Sequence, residues 1–102
     1  MDDILQLGGH IELAGFKELD RGSMSILKKI IGNYAKKFSE SCEQFEGLSL
    51  HMKQIHGEGS NKFELHGKVI NKGAAYTSEV TDHNLFFVVG KALKKLENSL
   101  QK

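Results

Sequence analysis

The chain has 102 residues, 39% hydrophobic and 26% charged, which suits one folded domain with a modest core and argues against a disordered chain. No apolar run reaches the roughly 20 residues of a membrane span. The opening MDDILQLGGHIEL has early acids and no basic stretch, so no signal peptide is expected. Net charge is +1 but uneven: residues 1–22 hold Lys17 and Arg21 against Asp2, Asp3, Glu12, Glu18 and Asp20, leaving 12 basic and 8 acidic side chains in residues 23–102. That mild excess permits a nucleic-acid partner without requiring one. The single cysteine, Cys42, excludes an internal disulfide, and a reducing cytoplasm is the expected compartment.

In chain order, HIELAGF predicts a first strand with Ile11 and Leu13 on one face. Asp20 or Ser23 then offers a helix cap. Met24, Leu27, Ile31, Tyr34, Ala35, Phe38 and Cys42 recur at three- and four-residue steps and predict a long amphipathic helix. Gly32 in its middle costs roughly 1 kcal/mol relative to alanine and marks either close packing or a weak point. LSLHMKQIH and KFELHGKVI alternate apolar and polar residues, with GEGSN between them as a turn. NKG is a second turn, and AAYTSEV predicts a fourth strand. Asp82 is the expected cap of a last helix whose core stripe is Leu85, Val89, Ala92, Leu96 and Leu100.

The expected fold is thus α+β, a single domain over 1–102 of β-α-β-β-β-α order. Consecutive hairpins make the last three strands an antiparallel meander, and both helices pack on one face of a four-stranded sheet. Residues 1–9 are an N-terminal extension.

Catalytic patterns are absent: no phosphate loop, no GxSxG, no HExxH. Cys42, on the helix core stripe, reads as a buried, inert thiol. Glu12, Glu18, Glu64 and Glu79 form no evident acid/base pair. His10, His51, His56, His66 and His83 lack tight metal spacing. His51 and His66 can share the open sheet face, yet solvated histidines are the simpler reading. No enzyme activity, cofactor, metal or small-molecule substrate is expected.

The chemistry that remains is cationic. The first helix carries Lys28, Lys29, Lys36 and Lys37, and the second Lys91, Lys94 and Lys95. Two helices on one sheet face join these lysines into one outer surface. A solvated charged face is the ordinary reading; a footprint for nucleic-acid phosphates is the sharper one. Phe87 lies nearly opposite the core stripe, among Lys91, Lys94, Lys95 and Asn98. It suits stacking on an unpaired base or anchoring a protein partner or homodimer. Alternatively, Ile4, Leu5 and Leu7 fold over it as cover.

The element order and the closing motif together resemble the ribosome hibernation promoting factors, also called ribosome-associated inhibitors or sigma-54 modulation proteins, in their short form. DHNLFFVVGKALKKLENSL is similar to that family's acidic cap (Asp82), Leu–aromatic pair (Leu85, Phe86), aliphatic run (Val88, Val89) and Lys-Leu-Glu-x-x-Leu ending (Lys95, Leu96, Glu97, Leu100). IELAGF resembles its first strand, and YAKKFSE its Lys-Lys-Leu helix segment. The resemblance implies a factor that binds ribosomal RNA of the small subunit, covers the decoding region, inhibits translation and stabilises idle ribosomes. Lys37 and Lys95 match its basic positions, whereas Asn98 stands where arginine is frequent and Phe87 where a small residue is usual.

Two other readings compete. One is a double-stranded-RNA-binding-like module, whose α-β-β-β-α order is contained in this chain. Such modules grip phosphates with lysines at the start of the last helix, and here TDHNLFF has none before Lys91. The other is a protein-interaction or dimerisation domain without nucleic acid.

Overall fold

A computed structural model describes residues 4–6, 10–57 and 59–100. The elements are β1 (Ile4–Gln6), β2 (Ile11–Ala14), α1 (Arg21–Ser41), β3 (Phe45–Gly57), β4 (Ser60–Asn71), β5 (Ala74–Asp82) and α2 (Leu85–Leu100). From β2 onward this is the expected β-α-β-β-β-α order, in a mixed sheet. β2 and β3 are parallel across the α1 crossover, and β3, β4 and β5 form the antiparallel meander. The sheet order is β1-β2-β3-β4-β5, so a short antiparallel β1 is added at the β2 edge. Residues 1–3 and 7–9, including Leu7, lie outside the described residues. Among the described residues the cover suggested for Phe87 is absent: Ile4–Gln6 sit at the edge opposite β5, whereas α2 packs over β4 and β5.

Strand alternation sorts the side chains between two faces. Leu13 of β2, Leu48, Leu50 and Met52 of β3, Leu65 and Val69 of β4 and Val80 of β5 are buried beneath the helices. Leu27, Ile31, Ala35 and Phe38 come down from α1, and Val88, Val89, Ala92, Leu93 and Leu96 from α2. Each fully buried large aliphatic contributes roughly 1.5–3 kcal/mol. Val88 and Leu93 widen the expected stripe on α2, while Leu85 and Leu100 at its ends are half-buried.

Local chemistry sets the boundaries. Asp20 caps α1, accepting a 3.0 Å hydrogen bond from the Ser23 amide. That bond holds the Asp20 carboxyl below its ordinary pKa. α1 ends at Ser41, so Cys42 is its C-cap, half-buried, and not a member of the buried stripe. Desolvation pushes the Cys42 thiol up, away from the thiolate. α2 is capped by Asn84 and not by Asp82. The Asn84 side-chain oxygen accepts from the Phe87 amide at 3.0 Å, and Asp82 accepts from the Asn84 amide at 3.1 Å. Asparagine and aspartate both suit a cap by composition; here the asparagine occupies it while the aspartate two residues earlier closes the preceding turn.

Two glycines let backbone and helix come close. Gly15, between β2 and α1, has φ +84°, and a Cβ there would lie 2.0 Å from the Met52 carbonyl oxygen. Gly67 lies under α2, where a Cβ would meet Ser78 Oγ at 2.9 Å and Leu96 Cδ1 at 3.0 Å. Gly32 differs: a Cβ there meets nothing within 4 Å, so it is a weak point and not a packing site.

Gly32→Ala is therefore expected to stabilise the fold by about 0.4–1 kcal/mol. Gly67→Ala should cost about 1–3 kcal/mol through overpacking. Thermal or urea unfolding of the two variants reads both signs; a destabilised Gly32→Ala would show that α1 is packed from outside.

Candidate nucleic-acid interface

β2, β3 and β5 share one direction, and each helix runs back along the sheet, so α1 and α2 lie parallel. Their C-terminal halves meet through Lys37 of α1 and Glu97 of α2, 3.9 Å apart. With about 100° per residue, this contact fixes the phase of each helix. On α1, Lys29 and Lys36 point away from the core with Asn33 and Glu40. Lys37 lies on the flank facing α2, and Lys28 on the opposite flank. On α2, Phe87, Lys91, Lys94 and Asn98 point outward. Lys95 lies on the flank toward β5, where its Nζ donates to the Glu79 backbone carbonyl at 3.4 Å.

All seven candidate lysines are exposed, but they are not one free row of charge. Glu97 is a local sink. Its side chain is 17% exposed, with Lys37 on one side and Lys94 on the other, 3.5 Å away. Glu97 Oε1 is buried and accepts no hydrogen bond, so the pair of ammonium groups is held by charge and not by a directed bond. Lys37 also sits 5.0 Å from the Tyr34 ring centroid. Lys29, Lys36 and Lys91 make no ion pair among the described residues.

Phe87 is 49% exposed, and Lys91 Nζ stands 5.3 Å from its ring centroid. The aromatic is thus wet, as its helical phase implies, and already carries a cation on one side. A second feature was not singled out in the sequence. Ile26 is 50% exposed and Phe86 37% exposed. Each lies eleven residues before a member of the Lys37–Glu97 pair, hence at the same level and on the facing flank of its helix. The N-terminal end of the helical face is therefore apolar and aromatic, and the rest is cationic. The signal was present as a shared offset of eleven, but it is visible only once the helices are known to be parallel and in that register.

Between these features α1 carries a surface depression of about 510 Å³, lined by Ile30, Asn33, Tyr34, Lys36, Lys37 and Glu40. It mixes an apolar wall with amide, hydroxyl and ammonium donors, which suits a sugar–phosphate strand lying along the helix.

Glu97→Gln removes the carboxylate that competes for Lys37 and Lys94. It should tighten binding to a single-stranded RNA by about twofold to fivefold, in keeping with the 0.2–1 kcal/mol of an exposed pair. Fluorescence anisotropy at low salt measures this; unchanged or weaker binding by a variant that still folds would rule out phosphate contact through Lys37 and Lys94. No protein-family model matches the chain, and no curated protein matches it at a significant level, so the reading of this face rests on its own chemistry.

Proposed function

We propose that the protein is an RNA-binding, ribosome-associated factor that docks its helical face on the small ribosomal subunit, inhibits translation and stabilises idle ribosomes. The observation that carries this reading is the exposed Phe87 ring beside Lys91 on the outer face of α2. A half-exposed aromatic stabilises nothing in the core, whereas stacked on an unpaired base it contributes about 1–3 kcal/mol. Lys29, Lys36 and Lys91 supply the phosphate contacts around it. Lys37 and Lys94 join only as they leave Glu97, and Lys95 only as it leaves the β5 edge. The likeness of the α2 motif to the hibernation factors supplies the ribosome as the source of that RNA.

The first turn of α2, Leu85-Phe86-Phe87, is apolar. That weighs against the double-stranded-RNA-binding-like alternative, which needs lysines there. It favours a protein-docking alternative, because Ile26, Phe86 and Phe87 together offer an apolar edge. Salt separates the two: phosphate contacts release counterions and weaken steeply as salt rises, and apolar contacts do not.

Co-sedimentation with purified ribosomal subunits at low and moderate salt tests the proposal. Salt-sensitive pelleting with the small subunit is expected. Pelleting that ignores salt would favour protein docking, and no pelleting at either salt would sink the ribosome reading. Lys29→Glu combined with Lys91→Glu should weaken association at least about tenfold and reduce the log–log salt slope by about 2. Phe87→Ala should weaken it by about 1–3 kcal/mol while shifting unfolding by no more than about 0.5 kcal/mol. A large loss of stability would instead place Phe87 in the core.

A further inference from the structure

The face of the sheet turned away from the helices carries a different chemistry. Glu64 and His66 are alternate residues of β4 and project from the same side. His66 is the direct cross-strand partner of His51 on β3 and of Glu79 on β5. Three consecutive strands thus bring four metal-ligating side chains onto one face near the middle of the sheet, and three of them, Glu64, His66 and Glu79, converge. His66 Nε2 lies 2.5 Å from Glu64 Oε2 and 3.9 Å from Glu79 Oε2. The donor atoms of Glu64, His66 and Glu79 all fall within 4.8 Å of one another.

The spacing suits a small cation. Tetrahedral bonds of roughly 2.1 Å place donors roughly 3.4 Å apart. The two His66 distances bracket that value, so modest side-chain rotations close the shell with no backbone movement. His51 offers a fourth donor, its Cβ about 5 Å from that of His66 in a paired register. Lys68, two residues beyond His66 on the same face, lines the adjoining depression but is not paired with the cluster. Among the described residues, neither Glu64 nor Glu79 forms an ion pair with a lysine or arginine. Lys53 is the cross-strand partner of Glu64 but makes no such pair, and Lys95 reaches Glu79 only at its backbone carbonyl. Two carboxylates flanking one imidazole repel each other unless a cation joins them. Beside the cluster, a depression of about 480 Å³ includes Ser49, Thr77, His51, His66 and Glu79 in its lining, leaving room for water to complete the coordination.

The geometry points to a site for one divalent transition cation, of the Zn²⁺ class, held by Glu64, His66 and Glu79 with His51 as the further ligand. Mixed imidazole and carboxylate donors select Zn²⁺ over Mg²⁺, which prefers an all-oxygen shell and keeps its waters. The site lies on the opposite side of the sheet from the helical face and stands independently of the RNA reading.

The test is titration of the full chain with Zn²⁺ against a chromophoric chelator, with Mg²⁺ as a parallel probe. One Zn²⁺ per chain is expected at micromolar metal. His66→Gln and Glu79→Gln should each lower the affinity at least about tenfold, because removing a direct ligand costs no less than disturbing a supporting one. His83→Gln, whose ring Nδ1 donates to the Asn61 carbonyl at 3.0 Å away from the cluster, should leave it unchanged. Both ligand variants alter solvent-exposed side chains, and unfolding scans without metal verify that they fold. Absence of stoichiometric uptake, uptake indifferent to His66→Gln, or equal uptake of Mg²⁺ would each overturn the site and leave His66 as a hydrogen-bond partner of Glu64.

Discussion

The seating of α2 on Gly67 is the constraint on which the rest of the molecule depends. A glycine in the centre of β4 leaves a space that Leu96 Cδ1 and Ser78 Oγ fill from either side. Ser78, the buried polar residue of β5, donates to the Ala92 carbonyl of α2 at 3.0 Å. This bond satisfies a hydroxyl that would otherwise be buried without a partner, a cost of about 1–3 kcal/mol. Together the apolar contact and the hydrogen bond hold α2 at one height and one rotation. Everything that α2 presents follows from that rotation: Phe87 and Lys91 face outward, Lys95 the β5 edge and Glu97 the first helix.

The cationic surface is consequently graded. Lysines on a helix are cheap to expose, and most of them are ordinary solvated residues. What distinguishes this face is the half-buried Glu97, with one carboxylate oxygen out of contact with water, which draws one lysine from each helix. An ion pair of this kind stabilises the helix–helix contact only modestly. It does withhold two charges from any polyanion until that polyanion competes for them. The unpaired cations are then Lys91 beside Phe87 and Lys29 and Lys36 along the outer row of α1.

The two faces of the sheet divide the chemistry of the chain. The helix-covered side is apolar, with strand partners that are almost all aliphatic. The uncovered side carries the ionisable groups, and cross-strand pairing lets residues far apart in sequence meet. His51, His66 and Glu79 come from successive strands, 15 and 13 residues apart, and are brought level by two-residue hairpin registers. The β4–β5 turn uses Lys72 and Gly73 at φ 56° and 78°, the left-handed pair whose twist suits a tight hairpin.

The sequence by itself determined the α+β class, the element order from β2 onward, the apolar faces and the outward direction of Phe87. Each follows from periods of 2 and 3.6 residues, which are local properties of the backbone. It also marked Asp20 as a helix cap. Tertiary structure decided what periodicity does not encode. The short β1 is made by pairing, not by any pattern of its own. Asn84 was chosen over Asp82 as the cap because β5 continues through Asp82. The Glu97 sink required the parallel register of two helices 60 residues apart. The cluster around His66 required the registers of three strands. In each case the decisive interaction joins residues distant in sequence, and its geometry exists only after the chain has closed on its core.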